Sequence, residues 1–473
     1  MEILHISAEC YPVAKAGGLG DVVGALPKYQ VKEGHVAKVL MPMYRTKFLY
    51  EHEWEVVHQG YTNLGNRWFN FTIIKEKSNI LGFDLYLMDI NNLLDREKVY
   101  GYSDDTERFT AFQIAALDWV SSWKHSPSVI HVHDHHTALI PFMLRECYKY
   151  GNINHIPVVL TIHNAEYQGI MGWDKSHYLP EYNTWNWGKL DWNNAINPLA
   201  SGVKCADKVT TVSPSYLQEL KLNSNGLEAL FEYEKGKCLG ILNGIDTKVW
   251  DPEHDKYLEH RFGIKETEGG KLKNKYSLCD EFGLDYDKPL IVFIGRLVGE
   301  KGAEILPGVI RDTFEFIGRR MNFLILGSGN AETEGRLNSI KELARNDYNV
   351  YIGYNEQLSH RMYAGADFLL MPSRVEPCGL NQMYAMRYGT MPIVRRTGGL
   401  QDTVKDFGDH GGYGICFNHV SVGDVSHSIW RAVELYRNKE KFNQCREIMM
   451  QLDFGWEKSS EEYIKAYQQI NLK

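Results

Sequence analysis

Three groups of charged residues lie where the chain passes from an apolar run into a helix-like one, and their chemistry suits a phosphorylated ligand. The first is Lys15-Ala16-Gly17-Gly18-Leu19-Gly20-Asp21, between the apolar run 3–6 and the helix-like run 22–27. Glycines at a strand-to-helix turn let the backbone approach a ligand closely, and the helix start points N–H groups at an anion. Lys15 adds a full positive charge. The pattern is neither the Walker lysine loop nor the G-x-G-x-x-G fingerprint, and a plain tight turn competes as an explanation. The second group, Gly295-Arg296-Leu297-Val298-Gly299-Glu300-Lys301-Gly302, follows the apolar run 290–294. Two cations beside a helix start suit a diphosphate, against a merely solvated basic loop. The third, Pro372-Ser373-Arg374-Val375-Glu376-Pro377-Cys378-Gly379-Leu380-Asn381-Gln382, follows the run 368–371. Glu376 there either holds polar ligand groups or complements a helix dipole.

Histidines close two further apolar runs. His163-Asn164 follows 158–162, with Tyr167-Gln168-Gly169 soon after. A histidine at a strand's end is suited to meet a sugar hydroxyl or a developing charge, against a purely structural role. His131-Val132-His133-Asp134-His135-His136 offers metal-ligand residue types. It closes an apolar strand, however, and no distant motif completes a coordination set, so sugar-hydroxyl contacts are the better expectation. Asp285-Tyr286-Asp287 has a D-x-D form but precedes a strand beside Lys288-Pro289, which reads as a turn.

The elements that position these residues follow from periodicity. Short β-branched apolar runs recur at 36–41, 129–132, 158–162 and 209–212, then at 290–294, 323–326, 350–352, 368–371 and 392–394. Continuous apolar runs mark strands buried on both faces, and helical patterns between them mark parallel, doubly wound sheets. The series restarts after the turn signal Leu242-Asn243-Gly244-Ile245-Asp246, and 473 residues exceed what one core usually supports. Two Rossmann-like domains are therefore expected, 1–240 and 241–455. Ligands of open α/β sheets bind beyond the carboxyl ends of the strands, which places the expected site in a cleft between the domains. The stretch 169–194, rich in Trp, Tyr and Asn, reads as one long functional or mobile loop.

A hydrophobic content of 44% with 24% charged residues belongs to a soluble globular protein. The net charge of −8 argues against general binding of nucleic acid or anionic membrane, so a phosphorylated ligand needs a local positive site. Eight scattered cysteines without a C-x-x-C pair suggest neither a disulfide framework nor a cysteine zinc site. With no leader and no apolar run near the ~20 residues that span a bilayer, a cytoplasmic chain with reduced thiols and no metal or cofactor is expected.

At these residues the chain resembles the bacterial-type glycogen (starch) synthases, retaining glycosyltransferases of the GT-B fold. The resemblance spans nearly the whole length. It runs from the 15–21 segment through His131-x-His133-Asp134, Thr210-Thr211-Val212-Ser213-Pro214 and 296–302 to Arg395-Arg396-Thr397-Gly398-Gly399-Leu400, ending at Phe454-Gly455-Trp456. It implies transfer of glucose from a nucleotide-glucose, usually ADP-glucose, to the non-reducing end of an α-1,4-glucan. Position by position, it implies a catalytic set of Lys15, His163, Arg296, Lys301 and Glu376. Lys15, Arg296 and Lys301 bind the diphosphate, with backbone near Gly18, and Tyr354 stacks on the base. His163, Asn164, Glu376, Cys378 and Gly379 surround the donor glucose, with Leu380 and Asn381 in the same donor set. Glu9, Asp134 and His136 fall on the acceptor side. The family fold also sends the C-terminal helix, 456–472, back to the first domain. Departures from the common pattern include Ala16, Pro198, Glu300, Asn381, and Tyr384 in place of the second glutamate of E-x7-E. UDP-glucose as donor, a small sugar as acceptor, and a catalytically inactive glucan-binding protein are the alternatives.

Overall fold

The computed structural model describes residues 1–471, which fold as two compact α/β units: Met1–Leu242 with the C-terminal helix, and Asn243–Gly455. The first unit carries β1 (Glu2–Ile6), β2 (Val36–Pro42), β3 (Trp54–Leu64), β4 (Arg67–Glu76), β5 (Asp84–Asp89), β6 (Val129–His133) and β7 (Val158–Ile162). A separate two-stranded ribbon, β8 (Asp191–Trp192) and β9 (Ala195–Ile196), precedes β10 (Lys208–Thr211) and β11 (Cys238–Gly240). The main sheet has the order β11-β10-β7-β6-β1-β2-β5-β4-β3. It is parallel from β11 to β5, and its central strands are buried on both faces, as continuous apolar runs require.

Two local differences from the sequence expectation have physical causes. β3 and β4 form an antiparallel hairpin added to β5 at the sheet edge. In β4 the buried Phe71 and Ile73 alternate with less buried neighbours, the pattern of a half-solvated antiparallel strand rather than a parallel one. The 169–194 stretch is not one structureless loop. It contains 3-10 turns at Trp173–Tyr178 and Thr184–Lys189 besides β8. Polar anchors distant in sequence hold it: Trp173 Nε1 donates to Asp191 at 2.9 Å and Asn186 to Glu146 at 2.6 Å.

The helix after the 15–17 turn, Gly18–Lys32, contains Pro27, which cannot donate to the Val23 carbonyl four residues back. The buried Cys10 thiol donates to that carbonyl instead, at 3.6 Å. The C-terminal helix Trp456–Asn471 buries Trp456, Tyr463, Ile464 and Tyr467 against Val22, Leu26 and Tyr29 of the first unit. Position 472 of the expected helix lies outside the described residues.

The second unit is built on β12 (Leu290–Ile294), β13 (Asn322–Gly327), β14 (Tyr348–Ile352), β15 (Phe368–Met371), β16 (Met391–Arg395) and β17 (Ile415–Phe417). All are parallel, in the order β14-β13-β12-β15-β16-β17. Among the described residues no helix is long and apolar enough to cross a membrane.

Candidate active site

In the first unit β7, β6 and β1 are neighbours, so their carboxyl ends bring three of the sequence motifs together. The 15–17 turn is ordered by Glu9, which is buried beyond the end of β1. Its Oε2 accepts the N–H groups of Ala16 at 2.6 Å and Gly17 at 3.0 Å, and its Oε1 accepts the Tyr100 hydroxyl at 2.7 Å. Gly17 and Gly18 are in open space: a Cβ on either meets nothing within 4 Å. Their lack of side chains is thus not demanded by packing inside the protein, which suits room for a ligand at the helix start. Lys15 Nζ pairs with Asp21 at 2.7 Å and remains partly exposed.

Asp134, just past β6, has a φ of 55° and fixes the backbone after β7. Its Oδ1 accepts from the N–H of His163 at 2.7 Å and of Asn164 at 3.4 Å. Burial pushes its carboxyl up to about 7, against the lowering effect of those two N–H groups. Asn164 turns its own Oδ1 to the N–H of Glu166 at 2.9 Å. The His163 ring is buried, with Nε2 at 3.0 Å from His133 Nδ1, and burial pulls its pKa down to about 3. It is a neutral imidazole at physiological pH. His136 is also buried, stacked on Tyr100 with ring centroids 4.5 Å apart. Burial holds it, too, well below the usual histidine range.

Tyr100 therefore links Glu9 to His136, and sequence reasoning missed it. Val99-Tyr100-Gly101-Tyr102 closes no apolar run, so only the fold reveals its position. His5 was likewise left without a role, and His131 and His133, expected with their run to contact sugar hydroxyls, are instead fully buried in the sheet.

In the second unit the loops after β12 and β15 are neighbours because these strands pair. The backbone N–H groups of Arg374 and Val375 donate to the Glu300 carbonyl at 2.8 and 3.3 Å, stitching the loops together. Lys301 Nζ meets Glu376 Oε2 at 2.6 Å, and the Ser373 hydroxyl donates to the same oxygen at 3.0 Å. The Lys301–Glu376 pair is mostly shielded from solvent, whereas Arg296, 3.2 Å from Glu300, is largely exposed. Two glycines make this close approach feasible. Gly302 has φ +66° and would place a Cβ 2.1 Å from the Pro372 carbonyl; Gly398 has φ +44° and would place one 2.0 Å from the Glu376 carbonyl.

The other donor-set residues divide. Tyr354, following β14, is 85% exposed. Cys378 is buried and its thiol is pushed up to about 12, so it is unreactive. Gly379 offers its carbonyl to Gln382 Nε2 at 2.9 Å, and Leu380 immediately precedes the helix Asn381–Arg387. Asn381 donates to the Ile294 carbonyl at 2.8 Å, tying this helix to the end of β12. Tyr384, at the departing E-x7-E position, stacks on Trp250 with centroids 3.7 Å apart. Asp285-Tyr286-Asp287 is a turn, the Asp285 carboxylate accepting the Asp287 N–H at 3.0 Å.

The chain matches the starch synthase catalytic domain family over residues 2–233 and the glycosyl transferases group 1 family over residues 278–448. It is 55% identical over 470 residues to a glycogen synthase of Flavobacterium johnsoniae, covering 99% of each chain. A glycogen synthase of Streptococcus gordonii is 37% identical over 483 residues, covering 99% of this chain and all of that one. The solved catalytic domain of starch synthase IV from Arabidopsis thaliana, bound to ADP and acarbose, superposes with a TM-score of 0.90 at 30% identity, over 100% of this chain and 99% of that one. The fold extends to sucrose-phosphate synthase of Thermosynechococcus elongatus, with a TM-score of 0.64 at 15% identity over 99% of both chains. With parallel-sheet units of GT-B architecture, strand-end cations and carboxylates, and full-length relatives, the chain belongs to the glycogen (starch) synthase family of glucosyltransferases.

Proposed function

We propose that this chain transfers glucose from ADP-glucose to the non-reducing end of an α-1,4-glucan, with retention at the anomeric carbon. The observation that carries this reading is the Lys301–Glu376 pair, at 2.6 Å, on stitched loops after β12 and β15, the first of which also carries Arg296. In this reading Arg296 and Lys301 are the cations suited to a diphosphate, and Glu376 is the carboxylate suited to sugar hydroxyls. Lys15 and the open Gly17–Gly18 helix start supply comparable anion chemistry in the first unit. The ADP held by the Arabidopsis relative supports adenine as the base.

In this reading the bond from glucose C1 to the diphosphate oxygen breaks, and the leaving diphosphate takes the electron pair. Lys15, Arg296 and Lys301 stabilise the negative charge as it builds. The acceptor hydroxyl attacks C1 from the leaving-group face, and its proton passes to the departing phosphate oxygen. Glu376 holds glucose hydroxyls while Lys301 moves its charge from carboxylate to phosphate. His163, being neutral, acts through a hydrogen bond rather than a charge. Glu9, Asp134 and His136 belong to the acceptor side in this reading, and Glu9 and Asp134 also order the backbone of the 15–17 turn and of His163–Asn164.

Side-by-side rates with ADP-glucose and UDP-glucose on a glycogen primer test the donor. A clear preference for UDP-glucose overturns the choice of base. Lys301→Ala and Arg296→Ala are expected to lower kcat by roughly 10²–10³-fold each in folded protein. Near-normal turnover in both refutes the electrostatic account, and a trapped glucosyl-Glu376 adduct refutes same-face attack.

A further inference from the structure

Behind His163 the first unit holds a continuous line of buried polar side chains. In the parallel register His5 of β1 lies beside His131 of β6, and His133 lies beside Thr161 of β7. Residues two apart on a strand share a face, so His5, His131, His133 and Thr161 all project from one side of the sheet. His163 Nε2 is 3.0 Å from His133 Nδ1, His133 Nε2 is 3.1 Å from His5 Nδ1, and His5 Nε2 is 2.9 Å from Gln30 Oε1. Gln30 Nε2 then donates to the Tyr467 hydroxyl at 3.1 Å. That hydroxyl is 2.6 Å from His131 Nδ1, and His131 Nε2 is 2.6 Å from Thr161 Oγ1. Apart from the end member His163, every side chain in this line is fully buried, and Gln30 and Tyr467 come from the helices Gly18–Lys32 and Trp456–Asn471.

His5, His131 and His133 bring ligand atoms within 4.8 Å of one another, a spacing that a metal ion could use. The hydrogen bonds point elsewhere, since both ring nitrogens of each of these histidines already face a named partner. Five neighbouring neutral groups, each able to donate on one side and accept on the other, order one another. Gln30 gives the line its direction, because an amide cannot donate from both ends. Its oxygen faces His5, so His5 Nε2–H donates to it. His133 Nε2–H must then donate to His5, and His163 Nε2–H to His133. On the other side Tyr467 O–H donates to His131, whose Nε2–H donates to Thr161. Each ring N–H of the line and the Tyr467 hydroxyl finds an acceptor.

We propose that His133, backed by His5, Gln30 and Tyr467, is a positioning residue that locks His163 as the Nε2–H tautomer. Nδ1 is thereby left as an acceptor for a hydroxyl of the bound sugar. The idea rests on the reading of His163 as a residue that touches the donor glucose. It also makes docking of the C-terminal helix, through Tyr467, a condition for the correct catalytic tautomer.

The test uses the whole chain labelled with ¹⁵N in its histidine rings, with His163 signals assigned by their loss in His163→Ala. Nitrogen shifts of the wild-type chain are expected to show protonated Nε2 and bare Nδ1 at His163. His133→Phe, which removes the acceptor, is expected to mix the two tautomers. It is expected to lower kcat by about tenfold or more while KM for donor and primer changes little, as when the partner of a catalytic imidazole is lost. His133→Gln, whose carbonyl restores an acceptor, is expected to recover part of that rate. Tyr467→Phe is expected to mix the tautomers from the far end of the line. A protonated Nδ1 in the wild-type chain overturns the proposal, whether or not His133→Phe folds. So does an unchanged kcat in His133→Phe when His163→Ala is inactive. Full activity in His163→Ala instead overturns the reading of His163 on which the proposal rests. Stoichiometric zinc in the purified protein, lost in His5→Ala, also overturns it, because the rings would then be ligands.

Discussion

Asp134→Asn is expected to stabilise the chain, and to do so increasingly between pH 5 and pH 8. Asp134 has a φ of 55°, a backbone conformation that asparagine adopts readily, and its Oδ1 accepts from His163 and Asn164. Asparagine keeps that oxygen and removes only the charge. Burial raises the Asp134 pKa from 3.8 to about 7. An acid with a folded pKa above its unfolded one binds its proton more tightly when folded. Its contribution to stability is therefore full below pH 3.8, falls as pH rises towards 7, and is flat above that. At about 1.4 kcal/mol per unit, the interval bounds the loss at ~4 kcal/mol by pH 8. Less than half of it is incurred at pH 5. Local relaxation around the carboxylate brings the expected gain of Asp134→Asn at pH 8 to ~2 kcal/mol. At ~2–4 °C per kcal/mol for units of this size, Tm rises by ~4–8 °C relative to wild type. Thermal melts of both chains followed by circular dichroism across this range make the comparison. A Tm difference independent of pH, or a variant less stable than wild type at pH 8, refutes burial of a charge as the main source of the effect.

Glu9→Ala removes the acceptor for the Ala16 and Gly17 N–H groups, and hydrogen exchange at 15–18 should accelerate by an order of magnitude or more. Glu9→Gln should keep this protection, its oxygen serving the two N–H groups and its amide facing Tyr100. Lys271→Met strands the carbonyls of Ala364 and Tyr388, both 2.9 Å from the buried Nζ, and should destabilise the second unit by ~2–4 kcal/mol in urea titrations. An unaltered midpoint would show that the cost of burying the amine equals what its hydrogen bonds return. Trp250→Ala removes a half-buried ring stacked on His360 and Tyr384 at 3.9 and 3.7 Å, and should cost ~2–3 kcal/mol in the same assay.

The parallel cores were legible because their strands are uniformly apolar. The runs expected at 158–162, 290–294 and 368–371 coincide with β7, β12 and β15. What these strands lead into was legible too, since a residue just past a parallel strand must lie at its carboxyl end. That is how Lys301 and Glu376 could each be placed at a strand's carboxyl end, although the pairing of β12 with β15 that makes their loops neighbours was not legible. The structure adds that they face each other at 2.6 Å, a fact set by Gly302 and Gly398 allowing backbone approaches that no spacing rule encodes. The β3–β4 hairpin escaped because its alternation is diluted by exposed Trp68 and Tyr61 at the sheet edge. The anchors of the 169–194 stretch escaped because Trp173–Asp191 and Asn186–Glu146 are polar pairs without periodicity.

The histidines show a different kind of limit. His131-Val132-His133 was visible as a polar pair in an apolar strand, and it invited a metal. Its direct partners are His5 of β1, Thr161 of β7, His163 and, more than three hundred residues downstream, Tyr467, while Gln30, about a hundred residues upstream, joins His5 to Tyr467. Sequence spacing supplies the face that these rings share but not what meets them there. A chain whose strands are otherwise apolar on both sides bears the cost of burying polar rings only if each finds a partner. Here each does, and the line they form ends at His163, held from the other side by Asp134 through its backbone N–H. The imidazole is thus fixed at both its main chain and its ring, by groups that cannot reorient without breaking a buried hydrogen bond. Such an arrangement makes its geometry and its tautomer properties of the fold, present before any sugar arrives.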